Sequence, residues 1–206
     1  MNYLLIDESD PDDLFECEGK VFKTFFESAQ LFNPKQSLEL IHKNKDIELS
    51  LKRNKIKYFN IVQFSAHGFY DTGIKSQLEY TGMVKRRGNK DIEIFRPDSI
   101  VRTGLQADLF ISTNCQTFNH LFIDTIKNYK GVSNYIAPVN SPYIGNTLIF
   151  SMMFYNLLLK RIRANAVRIS DENIIESFKL AKLSYKKYNG DEDYRLYNCK
   201  YNKVFK

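Results

Sequence analysis

Apolar residues along this chain gather in short runs, and acids, glycine or proline close most of them. The first run, Asn2 to Asp7, carries Tyr3-Leu4-Leu5-Ile6 and ends in acids, the pattern of a short buried strand. Asp12 or Asp13 then stands where a helix cap is needed, and Leu14, Phe15, Val21, Phe22, Phe25 and Phe26 supply apolar positions to about Leu31. Pro34 stops that helix. Ser37 to Ile41 reads as a second strand and Asp46 to Lys55 as a charged surface helix. The clearest strand of the chain runs from Tyr58 to Ala66 and stops at His67-Gly68.

Between residues 69 and 96, Gly73, Gly82 and Gly88, with Met83-Val84 and Ile92 to Phe95, predict a hairpin or long excursion rather than a helix. Pro97 opens a short helix to about Arg102. Asp108 to Thr113 is the next buried strand, ending at Asn114-Cys115, and a helix over about Phe118 to Tyr129 follows it, closed by Gly131. Tyr135 to Val139 is another strand, and two long helical stretches cover about 143–163 and 171–188. Tyr194 to Cys199 reads as a final edge strand. Strands alternating with helices predict an α/β protein, a three-layer α/β/α sandwich built on a mostly parallel central sheet.

A chain of 206 residues fits one domain spanning 1–206, and its 16 Phe and 13 Tyr supply a large core without Trp. No window reaches the roughly 18 apolar residues of a membrane span. The longest apolar stretch, Thr147 to Leu159, has the length of a buried core helix. The N-terminus lacks the basic region and cleavage site of a signal peptide, so the expectation is a cytoplasmic protein with no membrane partner. Cys17, Cys115 and Cys199 form no CxxC pair, which argues against a disulfide framework and a structural zinc site and leaves a thiol for chemistry. No cofactor or metal is implied. The net charge of +6 comes from scattered clusters such as Lys85-Arg86-Arg87, a solvated surface rather than one nucleic-acid-binding face, and no specific nucleic acid is expected.

In an open α/β sheet the ligand lies beyond the carboxyl ends of the strands, and His67 and Cys115 each follow a central strand at that edge. A thiol attacks a carbonyl as thiolate and needs a base to form it near neutral pH. An imidazole supplies that base and later protonates the leaving amine. Cys115 also precedes a helix, whose N-terminal field favours an anion. Gly68, having no side chain, lets its N–H approach a substrate closely and join the N–H of Cys115 in holding an oxyanion. Singly, a cysteine after a buried strand is a small core residue and a His-Gly is a turn. Their spacing of 48 positions, with matching flanks, makes the pair informative.

Ser65-Ala66-His67-Gly68 after one strand and Ser112-Thr113-Asn114-Cys115-Gln116-Thr117 after the next resemble the caspase-like cysteine peptidases of clan CD. There the histidine stands about fifty residues upstream of the cysteine. The chain looks most like the bacterial CHAT-domain branch. Gly131 with Tyr135-Ile136-Ala137-Pro138-Val139 is similar to a glycine-then-strand step of that family, and Phe150 to Leu159 followed by Glu176 to Lys182 to its pair of helices. The resemblance covers about 58–188 and implies a caspase-like fold, with Cys115 as nucleophile, His67 as general base and acid and Gly68 as oxyanion donor. It implies a cysteine endopeptidase acting on a protein substrate in bacterial regulated proteolysis, including antiviral defence and activation of pore-forming gasdermins, with an activating partner protein or a self-cleavage event. The caspase Gln-Ala-Cys-Arg-Gly is absent, and Thr113 takes the place of its glutamine and of the metacaspase aspartate that binds a basic P1 residue. The alternative reading of the same fold is a catalytically silent protein-interaction module.

Cys17 and Cys199 read as inert thiols, and His42 and His120 as surface or capping residues, with His120 the alternative base. Asp7, Glu8, Asp10, Asp12 and Asp13 read as helix capping and solvated charge. A receiver-type phosphate pocket is excluded, because the later strand ends in Asn114-Cys115 where an aspartate is needed. In a sharper reading Asp10 and Asp12 line the substrate cleft, where they favour a basic P1 side chain or bind Ca²⁺.

Overall fold

A computed structural model describes residues 1–8, 16–32, 37–42, 46–72, 80–87, 90–142, 144–162, 166–189 and 194–206. In chain order the elements are β1 (Asn2–Asp7), α1 (Glu16–Phe32), β2 (Ser37–His42), α2 (Ile47–Arg53), β3 (Tyr58–Ser65), β4 (His67–Asp71), β5 (Tyr80–Arg87) and β6 (Lys90–Phe95). There follow α3 (Pro97–Thr103), β7 (Gln106–Ser112), α4 (His120–Tyr129), β8 (Val132–Pro138), α5 (Ile144–Arg161), α6 (Asp171–Asn189), β9 (Tyr194–Asn198) and β10 (Lys203–Phe205).

The central sheet has the order β10-β9-β8-β7-β3-β1-β2. β2, β1, β3, β7 and β8 are mutually parallel, whereas β9 and β10 run antiparallel to their neighbours. β1, β3, β7 and β8 are largely buried, so they appear in the sequence as mainly apolar runs, whereas β2 is an edge strand with Leu40 41% exposed. In β1, Leu4 and Ile6 join the core built with α2, α3 and α4, while Tyr3 and Leu5 join the core built with α1, α5 and α6. Among the described residues, three helices thus cover each face. Phe110 lies between Phe64, Phe95 and Tyr135 on the first face. On the second, Tyr3 stacks on Phe26 at 4.7 Å and Phe150 on Tyr194 at 4.2 Å.

The excursion expected between residues 69 and 96 is a separate antiparallel sheet in the order β4-β5-β6. Two sequence expectations need correction. The strand at Tyr194 is not the sheet edge, because β10 pairs outside it. The left-handed residue ending α4 is Lys130 (φ 57°), not Gly131. Gly131 has its own requirement, since a Cβ there would stand 2.1 Å from the Tyr129 ring.

At the amino edge of the sheet, buried Asp108 ties several elements together. It accepts from Asn60 Nδ2 at 2.8 Å, from Ile169 N–H at 2.9 Å and from Tyr58 Oη, with Arg168 Nε at 3.3 Å. Asn134 Nδ2 donates to Asp108 O at 3.0 Å and to Asp171 Oδ1 at 2.7 Å, extending the network to β8 and α6. That edge is occupied by structural bonds. The chemistry-bearing residues lie at the other.

Candidate active site

β3 and β7 lie side by side with Phe64 opposite Ser112, so the chain leaves both at the same carboxyl edge. After Ser65 it bends at Ala66 into β4, where His67 and Gly68 pair with Val84 and Met83. After Ser112 comes a tight turn that carries Cys115 and Gln116. Thr113 N–H donates to Phe64 O at 3.1 Å, and Ala66 N–H donates to Asn114 Oδ1. Asn114 therefore joins the two strand ends: its main chain extends β7 and its side chain caps β3.

The two segments also meet at Gly68. A Cβ built there would stand 2.2 Å from Cys115 O and 2.9 Å from both Cys115 N and Asn114 Cβ. The main chain of the cysteine turn thus itself requires glycine at this position, a reason separate from the approach of a substrate. His67 and Cys115 are both half-buried, and Cys115 is a thiol in no disulfide.

Gln116, next to the cysteine, has φ 56°, a left-handed conformation that is strained by about 1–2 kcal/mol for a residue with a side chain. Its surroundings hold it there. Gln116 N–H donates to Asn140 O and Phe118 N–H to Pro138 O, both at 2.9 Å, which ties the turn to the end of β8. Thr117 Oγ1 donates to Asn114 O at 2.8 Å, and Tyr135 Oη donates to Thr117 O at 2.8 Å. Asn119 Nδ2 lies 2.8 Å from both Gln116 O and Thr81 Oγ1 on β5, and its Oδ1 caps α4 by accepting from Phe122 N–H. One side chain thereby connects the turn, the small sheet and the helix that follows.

Asp10 and Asp12 lie outside the described residues, as do the side chains of Cys17 and His42. Of the acids expected to be solvated, Asp7 and Glu8 are buried, 3% and 0% exposed: Asp7 ends β1 in register with Ser65, and Glu8 N–H donates to Ser65 O at 2.9 Å. Asp7 packs on Gly19, where a Cβ would meet Asp7 Oδ2 at 1.8 Å. Behind Thr113 lies another buried acid, Glu18, which accepts from Thr113 Oγ1 at 3.0 Å and from Thr147 Oγ1 at 2.9 Å. Burial pushes its carboxyl up to about 7; the Thr147 and Thr113 bonds oppose this, and the Asp7 charge adds to it.

Cys199 lies apart, its Sγ 3.1 Å from Val132 O, and burial pushes its thiol up to about 11, the behaviour of an inert cysteine. His120 is exposed at the start of α4, with Nδ1 3.4 Å from Tyr70 Oη. Sequence reasoning passed over Thr117, Asn119 and Glu18. An asparagine just ahead of an apolar helical stretch is a cap signal that would have marked Asn119. Nothing in the sequence separates Glu18 from its acidic neighbours.

No family model and no curated protein matches the chain. Among the described residues no helix is long and apolar enough to cross a membrane. Among solved structures the chain is similar to a secreted C11 cysteine protease from Bacteroides thetaiotaomicron, determined in complex with an irreversible peptide inhibitor. The TM-score is 0.56 at 12% identity, over 97% of this chain and 66% of that one, so the chain spans just under two-thirds of its neighbour's length. The likeness is one of fold: this chain has the caspase-like α/β/α architecture, a seven-stranded, mostly parallel sheet between two layers of helices.

Proposed function

We propose that the chain is a cysteine endopeptidase in which Cys115 is the nucleophile and His67 its acid–base partner. The observation that carries this reading is the packing of Gly68, next to His67, against the main chain of Cys115, with the Asn114 side chain bonded to Ala66 N–H, at the carboxyl edge of the sheet. His67 takes the thiol proton as Cys115 Sγ attacks the scissile carbonyl carbon. The N–H groups of Gly68 and Cys115 hold the oxyanion. The C–N bond then breaks and His67 gives its proton to the departing amine, leaving a thioester on Cys115. Water, deprotonated by His67, attacks that thioester and releases the carboxyl product with the thiol restored.

The substrate is a protein segment, and Asp10 and Asp12 in the loop after β1 are proposed to favour a basic P1 side chain. The CHAT-type resemblance supports a bacterial, cytoplasmic setting in regulated proteolysis, with antiviral defence and gasdermin activation as examples and an activating partner protein as the trigger. The odd cysteine count agrees with a reducing compartment, although the structural neighbour is a secreted protein.

The test measures hydrolysis of a fluorogenic peptide library by the parent chain and by Cys115→Ala and His67→Ala. Cys115→Ala is expected to be inactive, and His67→Ala to lose about 10²–10⁴-fold, the usual contribution of a general base. Parental turnover in Cys115→Ala would remove the cysteine from the mechanism. Ordinary, slow alkylation of Cys115 in a folded chain that cleaves nothing would instead mark an interaction module.

A further inference from the structure

Glu18 lies near the start of α1 with its side chain 1% exposed, and each carboxylate oxygen accepts from a different threonine. Oε1 takes the Thr147 hydroxyl of α5 at 2.9 Å, and Oε2 takes that of Thr113 at 3.0 Å. Thr113 has one hydroxyl proton and three acceptors around it: Glu18 Oε2, then Phe64 O and Ser65 Oγ, each at 3.3 Å. The carboxylate wins that competition, because a charge-assisted hydrogen bond is about twice as strong as a neutral one. Thr113 stands two residues before Cys115, with its own N–H held by Phe64 O. The approach to the cysteine turn is therefore gripped from both sides, by β3 through the main chain and by Glu18 through the side chain.

We propose that Glu18 is a positioning residue for the nucleophile: it clamps Thr113 to Thr147 and so fixes where Cys115 emerges from β7. This rests on the reading of Cys115 as nucleophile. The clamp is complete only with an ionised carboxylate. A neutral carboxyl donates its own proton to one of its hydroxyl neighbours, Thr113, Thr147 or Ser65, and loses the charge that favours it over Phe64 O and Ser65 Oγ as the acceptor for the Thr113 hydroxyl. The titratable groups that act on Glu18 are Asp7 from β1 and Tyr155 from α5. Burial, with Asp7 adding to it, holds the Glu18 carboxyl near 7, so the clamp forms as pH rises through neutrality. Glu18→Gln keeps the shape of the side chain, but its amide nitrogen must donate where the carboxylate accepted. It imitates the low-pH clamp at every pH.

The test is the rate of Cys115 alkylation by iodoacetamide on the full chain, read by mass spectrometry of the Cys115 peptide from about pH 5 to about pH 9, which spans the carboxyl and thiol ranges. Glu18→Gln is expected to react at the parental rate at the acid end and about tenfold slower at the alkaline end, the difference between a charge-assisted and a neutral bond. Thr113→Val should reproduce that loss, and Thr113→Ser, which keeps the hydroxyl, should restore the parental profile. A Glu18→Gln profile that overlays the parent's, or differs from it by one constant factor at every pH, overturns the proposal. Should Glu18→Gln not fold, Thr113→Val carries the same two outcomes. His67→Ala, run alongside, separates this inference from the dyad: it lowers the whole profile if the dyad is right, whereas the Glu18-dependent step is read from the profile's shape.

Discussion

Replacing Gly68 by alanine adds one methyl group at a tight contact between the two halves of the site. The new Cβ would lie 2.2 Å from Cys115 O, where ordinary contact begins at 3.4 Å, so relief requires about 1 Å of movement. Neither side yields easily. The cysteine turn is tied to Asn140, Pro138 and Tyr135, and Gly68 is in register with Met83, which is 0% exposed. Overpacking of this kind costs about 1–3 kcal/mol. In a chain of this length that lowers the melting temperature by about 2–12 °C. A displacement near 1 Å in a catalytic group costs about 10²-fold in rate. Thermal melting, iodoacetamide labelling of Cys115 and peptide hydrolysis should therefore all decline together. Gly104→Ala is the control: Gly104 is left-handed (φ 67°) with nothing within 4 Å of its Cβ position, so that variant should lose stability while Cys115 labels normally. A Gly68→Ala chain that melts and labels like the parent would refute the packing argument. Loss of hydrolysis alone would give this glycine the role of admitting substrate.

The Glu18 carboxyl, raised by burial to about 7 from its ordinary 4.5, favours the folded state below 4.5 and loses that contribution as pH rises to about 7, a change of about 3 kcal/mol. In urea titrations the stability difference between the parent and Glu18→Gln should fall with pH across that interval and level off above it; a pH-independent difference would contradict the burial argument. With its thiol raised to about 11, Cys199 should remain unlabelled under native conditions at neutral pH while Cys115 reacts, and comparable labelling of both cysteines would show that the turn does not activate Cys115.

The strands were legible because a parallel strand covered on both faces is mainly apolar, and Phe59, Ile61, Val62 and Phe64 in one strand and Leu109-Phe110-Ile111 in the next make short apolar runs of that kind. β10 was not, because Lys203–Phe205 is too short to show a period, and its pairing with β9 depends on a turn that returns the chain alongside. Likewise, Gly131 looked like a helix terminator, but Lys130 adopts the left-handed backbone and Gly131 makes room for an aromatic ring. Sequence position announces that a glycine is needed. It does not say which neighbour needs it.

The same limit governs the site. His67 and Cys115 were visible because their chemistry is rare and each follows an apolar strand. The residues that hold them are polar side chains of ordinary types, and their partners are far away in sequence. Glu18 meets Thr113 across 95 positions and Thr147 across 129, and Asn119 reaches Thr81 across 38. Neither periodicity nor local spacing encodes such bonds; they exist only once the parallel order β1-β3-β7 has brought three strand ends to one edge. The fold therefore comes first in the argument for function. Asp108 and its partners occupy the amino edge of the sheet, which leaves the carboxyl edge as the place where strand ends pass into turns. There a strained residue such as Gln116 is held by the rigid elements around it, and a thiol beside it takes its position from them.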